Sequence, residues 1–411
     1  MRRTILSVFG LALAAVAVAQ PPTPPQTLPV ATPAEAPIQR YESLTLFPTP
    51  TQQAVRGAAA GANWLVRMNQ AQGRFLHGYR PAVRQTIQGD TELRQAYGAL
   101  ALAQAAKFTG DDRSAAVARQ AVLTLLASAP VDPADPGMRV PSQTATVGNR
   151  VGFAAVLALA ICDIPDADAQ LLAEAERLCG FLRKACRPDG SVEYAAAGTD
   201  PAGVNEYPGL ALAAIMSSHK TRPEAWKPDA VSKGLTFYRD VFRKAPHPQL
   251  AATLTPAVAE LHLQTRSTEA AAVVYELNDW LCGLQYPAAF PRNPTWAGGF
   301  RGVANGAPAD TEPTCDSAAC LASLGWAYQV TARNADVARA ERYKQAAQDA
   351  ALFVTALQYD EPNTRHFENT FRANVLIGGF HISPSDGDLR VDAAGRCVSG
   401  LVRYLASGAD R

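Results

Sequence analysis

The sequence carries almost no net charge and lacks the short motifs that mark several large protein classes. It has 38 basic and 37 acidic side chains and no basic stripe with interleaved aromatics, so we expect no nucleic-acid partner. A glycine-rich phosphate loop and a Gly-x-Ser-x-Gly sequence are both absent, which leaves a serine nucleophile without support. Zinc-ligand spacing of His and Cys is also missing. We therefore expect no metal and no cofactor.

Long apolar runs are missing after the first 19 residues. The run from Ile5 to Ala19 follows Arg2 and Arg3 and ends in small residues, and it is shorter than the roughly 20 residues that span a bilayer. This pattern predicts a signal peptide over 1–19, and hence a secreted or periplasmic protein with no transmembrane segment in the mature chain. Nine prolines in residues 20–50 predict an extended linker. Residues 51–411 are predicted to form one domain.

Seven cysteines are present, an odd number that leaves at least one unpaired in an oxidising compartment. Cys179 and Cys186 lie two turns apart on one predicted helix, too far for a disulfide. Cys162 could reach either of them, and Cys315 could close a small loop with Cys320. The simpler interpretation is that all seven are buried free thiols, because cysteine packs well as a small apolar residue.

No alternating stretch predicts a β-strand, whereas apolar spacing and capping residues predict about twelve helices. They are expected at 52–71, 90–109, 112–128, 147–163, 167–186, 206–219, 224–244, 248–265, 268–286, 315–333, 336–358 and 388–407.

The links between these helices alternate in length along the chain. Those that follow even-numbered helices are short, and those that follow odd-numbered helices are long, except for the short link at Pro246. The long links are 72–89, 129–146, 187–205, 287–314 and 359–387. In a ring of antiparallel hairpins, links of one parity lie on one rim. We therefore expect five long loops, and the functional site, at a single rim.

A weak internal repeat supports such a ring. Odd helices end in an aromatic residue, Leu and Gln, and a Gly-aromatic pair follows. Examples are Trp64, Leu65, Gln70, Gly73 and Phe75; Trp280, Leu284, Gln285, Gly299 and Phe300; and Phe353, Leu357, Gln358, Gly379 and Phe380. The pattern resembles the α/α-toroid proteins, which include terpenoid cyclases, six-hairpin glycosidases, polysaccharide lyases and uronyl epimerases. The resemblance covers roughly residues 52–407 and implies an all-α, single-domain (α/α)6 toroid.

The cyclase branch of this group is disfavoured by the residues themselves. Its members need Asp-rich runs, and neither Asp-Asp-x-x-Asp nor Asp-x-Asp-Asp occurs. Asp111 and Asp112 lie on a short link at the opposite rim. A polysaccharide is the better partner hypothesis, because sugar chains need aromatic platforms together with acid and base groups.

Three residues are the catalytic candidates. Glu206 and Asp316 stand at predicted starts of inner helices, where the helix dipole favours a carboxylate, although an acidic first turn is also ordinary helix capping. His381 directly follows a Gly-Gly-Phe turn and could move protons near neutral pH, although a hydrated rim histidine needs no function. The substrate-binding candidates are Phe75, His77, Tyr79, Arg150, Tyr207, Trp296, Phe300, Arg301, His366 and Arg390.

Asp386, Asp388 and Asp392 are candidate ligands for calcium, since hard cations collect carboxylate oxygens. The spacing departs from a calcium loop, because residue 397 is Cys where a bidentate Glu would be needed. This hypothesis is therefore not favoured.

Two functions stay open from the sequence. The first is an exported glycan-processing enzyme, a hydrolase, lyase or epimerase. The second is a non-catalytic toroid that binds a glycan or a protein partner. It is favoured by Leu93 and Val147, which stand at inner-helix starts where related rings often have acidic residues. Convergence of Glu206, Asp316 and His381 in one cavity, with carboxylates roughly 5–10 Å apart, would favour the enzyme.

Overall fold

The computed structural model describes residues 36–196, 198–304 and 306–411. The predicted signal peptide and the predicted linker up to residue 35 lie outside these residues. Residues Ala36–Arg411 form one compact unit. Its helices are α1 (Thr49–Met68), α2 (Glu92–Thr109), α3 (Asp112–Leu126), α4 (Arg150–Asp163), α5 (Ala169–Ala185), α6 (Tyr207–Thr221), α7 (Trp226–Lys244), α8 (Pro248–Thr265), α9 (Thr268–Leu284), α10 (Ser317–Arg333), α11 (Val337–Ala356), the single turn α12 (Asn369–Phe371) and α13 (Val391–Ser407).

The helix ends follow the capping residues of the sequence. Asp111, Asp168 and Ser267 accept hydrogen bonds from backbone N–H groups in the first turns of α3, α5 and α9. Gly110 and Gly408 terminate α2 and α13 in the left-handed conformation. Local sequence thus sets most boundaries, and each of the twelve predicted helices has its counterpart.

Six helices form a closed inner ring. In order around the ring, α2, α4, α6, α8, α10 and α13 each contact the next, and α13 contacts α2. The outer helices are α1, α3, α5, α7, α9 and α11. The predicted (α/α)6 toroid is confirmed.

Glycines let the inner helices approach closely. A Cβ atom at Gly400 of α13 would lie 2.5 Å from the carbonyl oxygen of Ala318 on α10. One at Gly209 of α6 would lie 2.6 Å from the backbone of Thr253 on α8. No side chain fits at either position without a shift of the backbone.

The long links lie on one rim, and they contain short strands. The expectation of no strands is wrong there, because two to five residues are too few to show an alternating pattern. The strands are β1 (Gly78–Arg80), β2 (Gln85–Thr86), β3 (Val131–Asp132), β4 (Asp135–Arg139), β5 (Gly302–Ala304), β6 (Ala307–Ala309) and β7 (Leu389–Arg390). Strand β1 pairs antiparallel with β2 and with β7, and so joins the first long link to the last.

The internal repeat corresponds to one type of backbone bridge, which occurs at the end of each of the outer helices α1, α5, α9 and α11. Its pairs are Asn69 with Phe75, Cys186 with Val192, Gln285 with Phe300, and Gln358 with Phe380. The Gln285 and Gln358 side chains also donate to the carbonyl oxygens of Gly298 and Gly378. The repeat is therefore structural, since it turns the chain from outer helix to rim loop.

The segment before α1 packs against the opposite rim. A short 3-10 helix spans Pro37–Tyr41, and a Cβ on Gly110 would lie 3.1 Å from Ala36 Cβ. The Tyr41 ring is buried, and its hydroxyl donates to Asp410 Oδ2 at 2.8 Å. Residue 36 therefore joins the ring at the end where α2 and α13 terminate.

All seven cysteines are free thiols. Burial raises the pKa of Cys162 and of Cys179 to about 12, so both stay protonated near neutral pH. Within the described residues, no helix combines the length and apolar character needed to cross a membrane.

Candidate functional site

A cleft of about 860 Å³ opens at the rim that carries the long loops. The first turns of α2, α4, α6 and α13, the end of α5 and the loop before α6 contribute to its walls. Its lining residues are Thr91, Leu93, Arg94, Tyr97, Gly148, Asn149, Arg150, Val151, Phe181, Lys184, Ala185, Glu193, Tyr194, Ala195, Ala196, Thr199, Asp200, Glu206, Tyr207, Asp392 and Arg396.

Arg396 of α13 joins two carboxylates at the inner end of this cleft. Its terminal nitrogens donate to Glu206 Oε1 at 2.8 Å and to Asp316 Oδ1 at 2.6 Å. The guanidinium lies 4.7 Å from the ring centroid of Tyr97, and the Tyr97 hydroxyl donates to Glu206 Oε1 at 2.7 Å. One network thus connects α2, α13 and the residues that precede α6 and α10.

The charges of this network keep its groups in defined protonation states. Burial raises the pKa of Tyr97, and the negative charge of Glu206 raises it further, so the phenol stays a hydrogen-bond donor. Burial would lower the pKa of Arg396, but the charges around it, including Glu206 and Asp316, hold it well above its ordinary value. The guanidinium is therefore a permanent cation between the two carboxylates.

Asp392 is a buried carboxylate in the cleft wall. Its side chain accepts from Arg390 Nε at 3.0 Å and lies 3.9 Å from Arg94 Nε. Burial alone would raise the pKa of Asp392, but the hydrogen bond from Arg390 and the charges of Arg390, Arg396 and Arg94 outweigh it and lower the pKa below its ordinary value. Asp392 is therefore ionised and fully engaged by arginines.

Aromatic residues form the facing wall. The rings of Tyr194 and Tyr207 lie 6.0 Å apart, and Asn149 Nδ2 donates to the carbonyl oxygen of Tyr194 at 2.9 Å. Arg150 Nε donates to Pro141 O at 2.8 Å, and its guanidinium lies 5.3 Å from the ring centroid of Phe181. Such a wall suits the apolar face of a sugar ring.

The structure brings some predicted site residues together. Glu206, Arg150 and Tyr207 line the cleft, and Asp316 reaches the same network through Arg396. His381 does not line it. The His381 ring lies 4.0 Å from the ring of Tyr359, and its Nε2 is buried with no hydrogen-bond partner among the described residues. Two of the three catalytic candidates therefore converge.

The other predicted binding residues lie elsewhere. Phe75 and Phe300 are 3% and 5% exposed, so a binding role is not supported for them, because their rings pack in the core at the recurring bridge. His77 Nε2 is buried, and Tyr79 packs on Phe371. Three of the remaining side chains pair with neighbours outside the cleft lining: Trp296 with Phe290, Arg301 with Asp310, and His366 with Phe367. Arg390 is not a lining residue, but it pairs with the lining residue Asp392.

The three aspartates of the calcium hypothesis have separate partners. Asp386 Oδ1 accepts from the backbone of Asp388, Asp388 Oδ2 accepts from Arg80, and Asp392 pairs with Arg390. Across the described part of the chain, no group of three or more His, Cys, Asp or Glu side chains is arranged to hold a metal ion.

Solved structures show which fold this is. No protein-family model matches the chain, and no curated protein does. The unsaturated glucuronyl hydrolase of Bacillus sp. GL1 superposes with a TM-score of 0.57 at 13% identity, over 86% of this chain and 96% of that one. Cellobiose 2-epimerase from Bacillus thermoamylovorans gives 0.58 at 11% identity, over 88% and 97%. An α-1,6-mannanase variant of Salegentibacter gives 0.54 at 10% identity, over 88% and 100%. The fold is the (α/α)6 toroid that these three proteins share.

Sequence reasoning missed two central residues of this toroid's cleft, Tyr97 and Arg396. Both lie inside inner helices, whereas the predicted site residues lie at helix starts or on loops. Arg396 stands among apolar and small residues in α13, with Val391, Ala394 and Val398 buried nearby. An arginine among the apolar residues of an inner helix could have indicated the site, because a buried charge needs partners of opposite charge.

Proposed function

We propose that this chain is an exported glycan-processing protein that acts in the rim cleft, with Glu206 as its reacting carboxylate. The predicted signal peptide over 1–19 supports export. A polysaccharide or oligosaccharide substrate is supported by the tyrosine wall that faces the charged network. The superposed toroids, a glucuronyl hydrolase, an epimerase and a mannanase, act on carbohydrates and support the same class.

The observation that carries the proposal is the convergence of Glu206 and Asp316 on Arg396. Both hydrogen bonds to Glu206 end on Oε1, and among the described residues Oε2 has no hydrogen-bond partner. Oε2 is therefore free to contact a substrate hydroxyl or an attacking water. Tyr97 and Arg396 hold the carboxylate in one orientation, as a group that transfers protons requires.

Hydrolysis fits this cleft better than epimerisation or elimination. Glycoside hydrolysis uses a pair of carboxylates, and Arg396 holds Glu206 and Asp316 as neighbouring carboxylates. Epimerisation and elimination need a base that abstracts a proton from carbon, most often a histidine although Glu, Lys or Tyr can serve, and no residue of the cleft lining is a histidine. Our first choice is therefore a glycoside hydrolase.

One observation favours a binding protein as the second candidate. The guanidinium of Arg396 is shared by Glu206 and Asp316, and Arg390 neutralises Asp392. Glu206, Asp316 and Asp392, ion-paired in this way, can bind sugars through hydrogen bonds without transferring protons. Only the hydrolase would form product, whereas both candidates would retain the glycan.

The deciding experiment incubates the purified protein with a panel of neutral and acidic polysaccharides. Reducing ends report hydrolysis, absorbance near 235 nm reports unsaturated uronates, and native affinity gels report retention. Glu206→Gln keeps the side-chain shape but removes the charge, so we expect activity to fall by at least about 100-fold while the fold is kept. Glu269→Gln, an exposed change on outer helix α9, is the matched control and should leave activity unchanged.

Retention of a glycan without product would replace the hydrolase by the binding protein. Neither product nor retention across the panel would reject a glycan-acting cleft altogether. Product formation that Glu206→Gln leaves unchanged would move the reaction to another site.

A further inference from the structure

The cleft extends beyond the Glu206 network toward the outside of the ring. Its lining begins at Arg396 on α13, passes the first turn of inner helix α4, and reaches Phe181 and Lys184 on outer helix α5. It therefore crosses the width of a helix, about 10 Å. A single sugar ring at Glu206 would leave this outer part empty.

Arg150, in the wall of the outer part, is a cation that has no carboxylate partner in the described part of the chain. Its Nε is engaged by Pro141 O, and its guanidinium packs over the Phe181 ring. Its two terminal nitrogens have no hydrogen-bond or ion-pair partner among the described residues. An arginine held by its Nε and by an aromatic face presents a fixed pair of N–H donors, the arrangement that binds an anionic oxygen.

Lys184 adds a second positive charge nearby. Its only carboxylate partner among the described residues is Asp135, at 3.2 Å, and both side chains are about half exposed. Exposed pairs of this kind are weak, so a ligand anion can compete for Lys184. The acidic lining residues near it are already engaged: Glu193 pairs with Arg187 at 3.0 Å, and Asp200 Oδ1 accepts from the backbone of Gly203. Arg150 and Lys184 are therefore the two side chains of the outer part that can offer N–H donors to an anion.

We propose that the outer part of the cleft is a second subsite that binds an acidic sugar unit, with Phe181 against its ring and Arg150 on its anionic oxygen. The inference rests on the proposed function and extends it to a substrate class: an oligosaccharide of at least two units, with a carboxylate or a sulfate ester on the unit next to the reacting one.

The test measures binding of three disaccharides by titration calorimetry to the full protein and to Arg150→Gln. The probes are cellobiose, which is neutral, digalacturonate, which carries carboxylates, and neocarrabiose 4-sulfate, which carries a sulfate ester. We expect an acidic probe to bind more tightly than cellobiose, and Arg150→Gln to weaken that probe by about 10-fold or more without weakening cellobiose. The probe that loses affinity identifies the anion.

Matched variants keep this test separate from folding and from the reaction. Arg333→Gln removes an exposed arginine at the other rim and should change nothing. Lys184→Gln, at an exposed side chain, should weaken the same acidic probe by a smaller factor. Circular dichroism verifies that each variant is folded.

Three results would overturn the subsite. They are cellobiose binding as tightly as both acidic probes, acidic binding that Arg150→Gln leaves intact, and no binding of either acidic probe. In each case the polysaccharide panel with Glu206→Gln still decides the proposed function independently, because that readout does not depend on Arg150.

Discussion

His381 is the predicted catalytic residue that the structure places away from the cleft, and its surroundings suggest a measurable role in stability. It packs against Tyr359, with Asp386 nearby. Burial lowers its pKa below the ordinary value, and the charge of Asp386 only partly opposes this. As pH falls below about 6.5, the unfolded chain therefore binds the proton first, and folding stability is lost.

Replacing this histidine should flatten the acid side of the stability profile. We expect the wild-type free energy of unfolding to fall between about pH 7 and pH 5, by at most about 1.4 kcal/mol per pH unit for one proton. His381→Gln should fall less steeply. His247, whose pKa is also lowered by burial, titrates in both proteins and cancels in the comparison. Urea denaturation at each pH measures the free energy of unfolding of both proteins. The same pH dependence in wild type and His381→Gln would contradict the prediction.

The sequence predicts individual site residues only where position along the chain is informative. Glu206 and Asp316 are predictable because they stand at the starts of inner helices, and both form hydrogen bonds with Arg396. Phe75 shared the rim position but fills the core, since a repeated aromatic residue serves the bridge rather than a ligand. Tyr97 and Arg396, which bind Glu206, come from helices that are distant in the chain. A single sequence does not show that such residues are in contact.

Among the elements, the inner helices depend on positions where only hydrogen fits. Gly400→Ala would place a methyl group 2.5 Å from Ala318 O, so we expect a loss of about 1–3 kcal/mol in unfolding free energy, because α13 or α10 must shift. Gly283→Ala, within α9, meets nothing within 4 Å. It should instead stabilise by up to about 1 kcal/mol, since alanine is the better helix former.

Urea denaturation of both variants measures this contrast. Equal effects of the two substitutions would mean that helix propensity, and not the close contact of α13 with α10, governs these positions.

Helices were predictable because each has its own caps and apolar spacing, whereas the strands were not. Strand β1 owes its existence to β2 and β7, and β7 lies about 300 residues further along the chain. Pairing over that separation leaves no local signal in two or three residues. The rim sheet is therefore a product of the ring and not of its segments.

At the scale of the whole molecule, ring closure makes the last helix indispensable. Helix α13 contacts α1, α2 and α10, so its removal would expose apolar faces on all three. In an open array of repeats, a terminal repeat can be lost with the remainder still folded. Here we expect a chain truncated before residue 389 to lose cooperative unfolding and near-ultraviolet dichroism. A cooperative thermal transition in the truncated protein would contradict this.

The ring itself could be predicted from link lengths, because the alternation of short and long links reports which rim each loop occupies. The reaction could not be predicted in the same way. Toroids of similar shape perform unrelated chemistry, so function has to be argued from the side chains of the cleft.

Residue 36 and the mouth of the cleft lie at opposite rims of the ring. Ala36 and Tyr41 lie at the ends of α2 and α13, whereas the cleft opens at the beginnings of the same two helices. A protein that begins at residue 36 and is immobilised there would therefore keep its cleft on the side opposite the support.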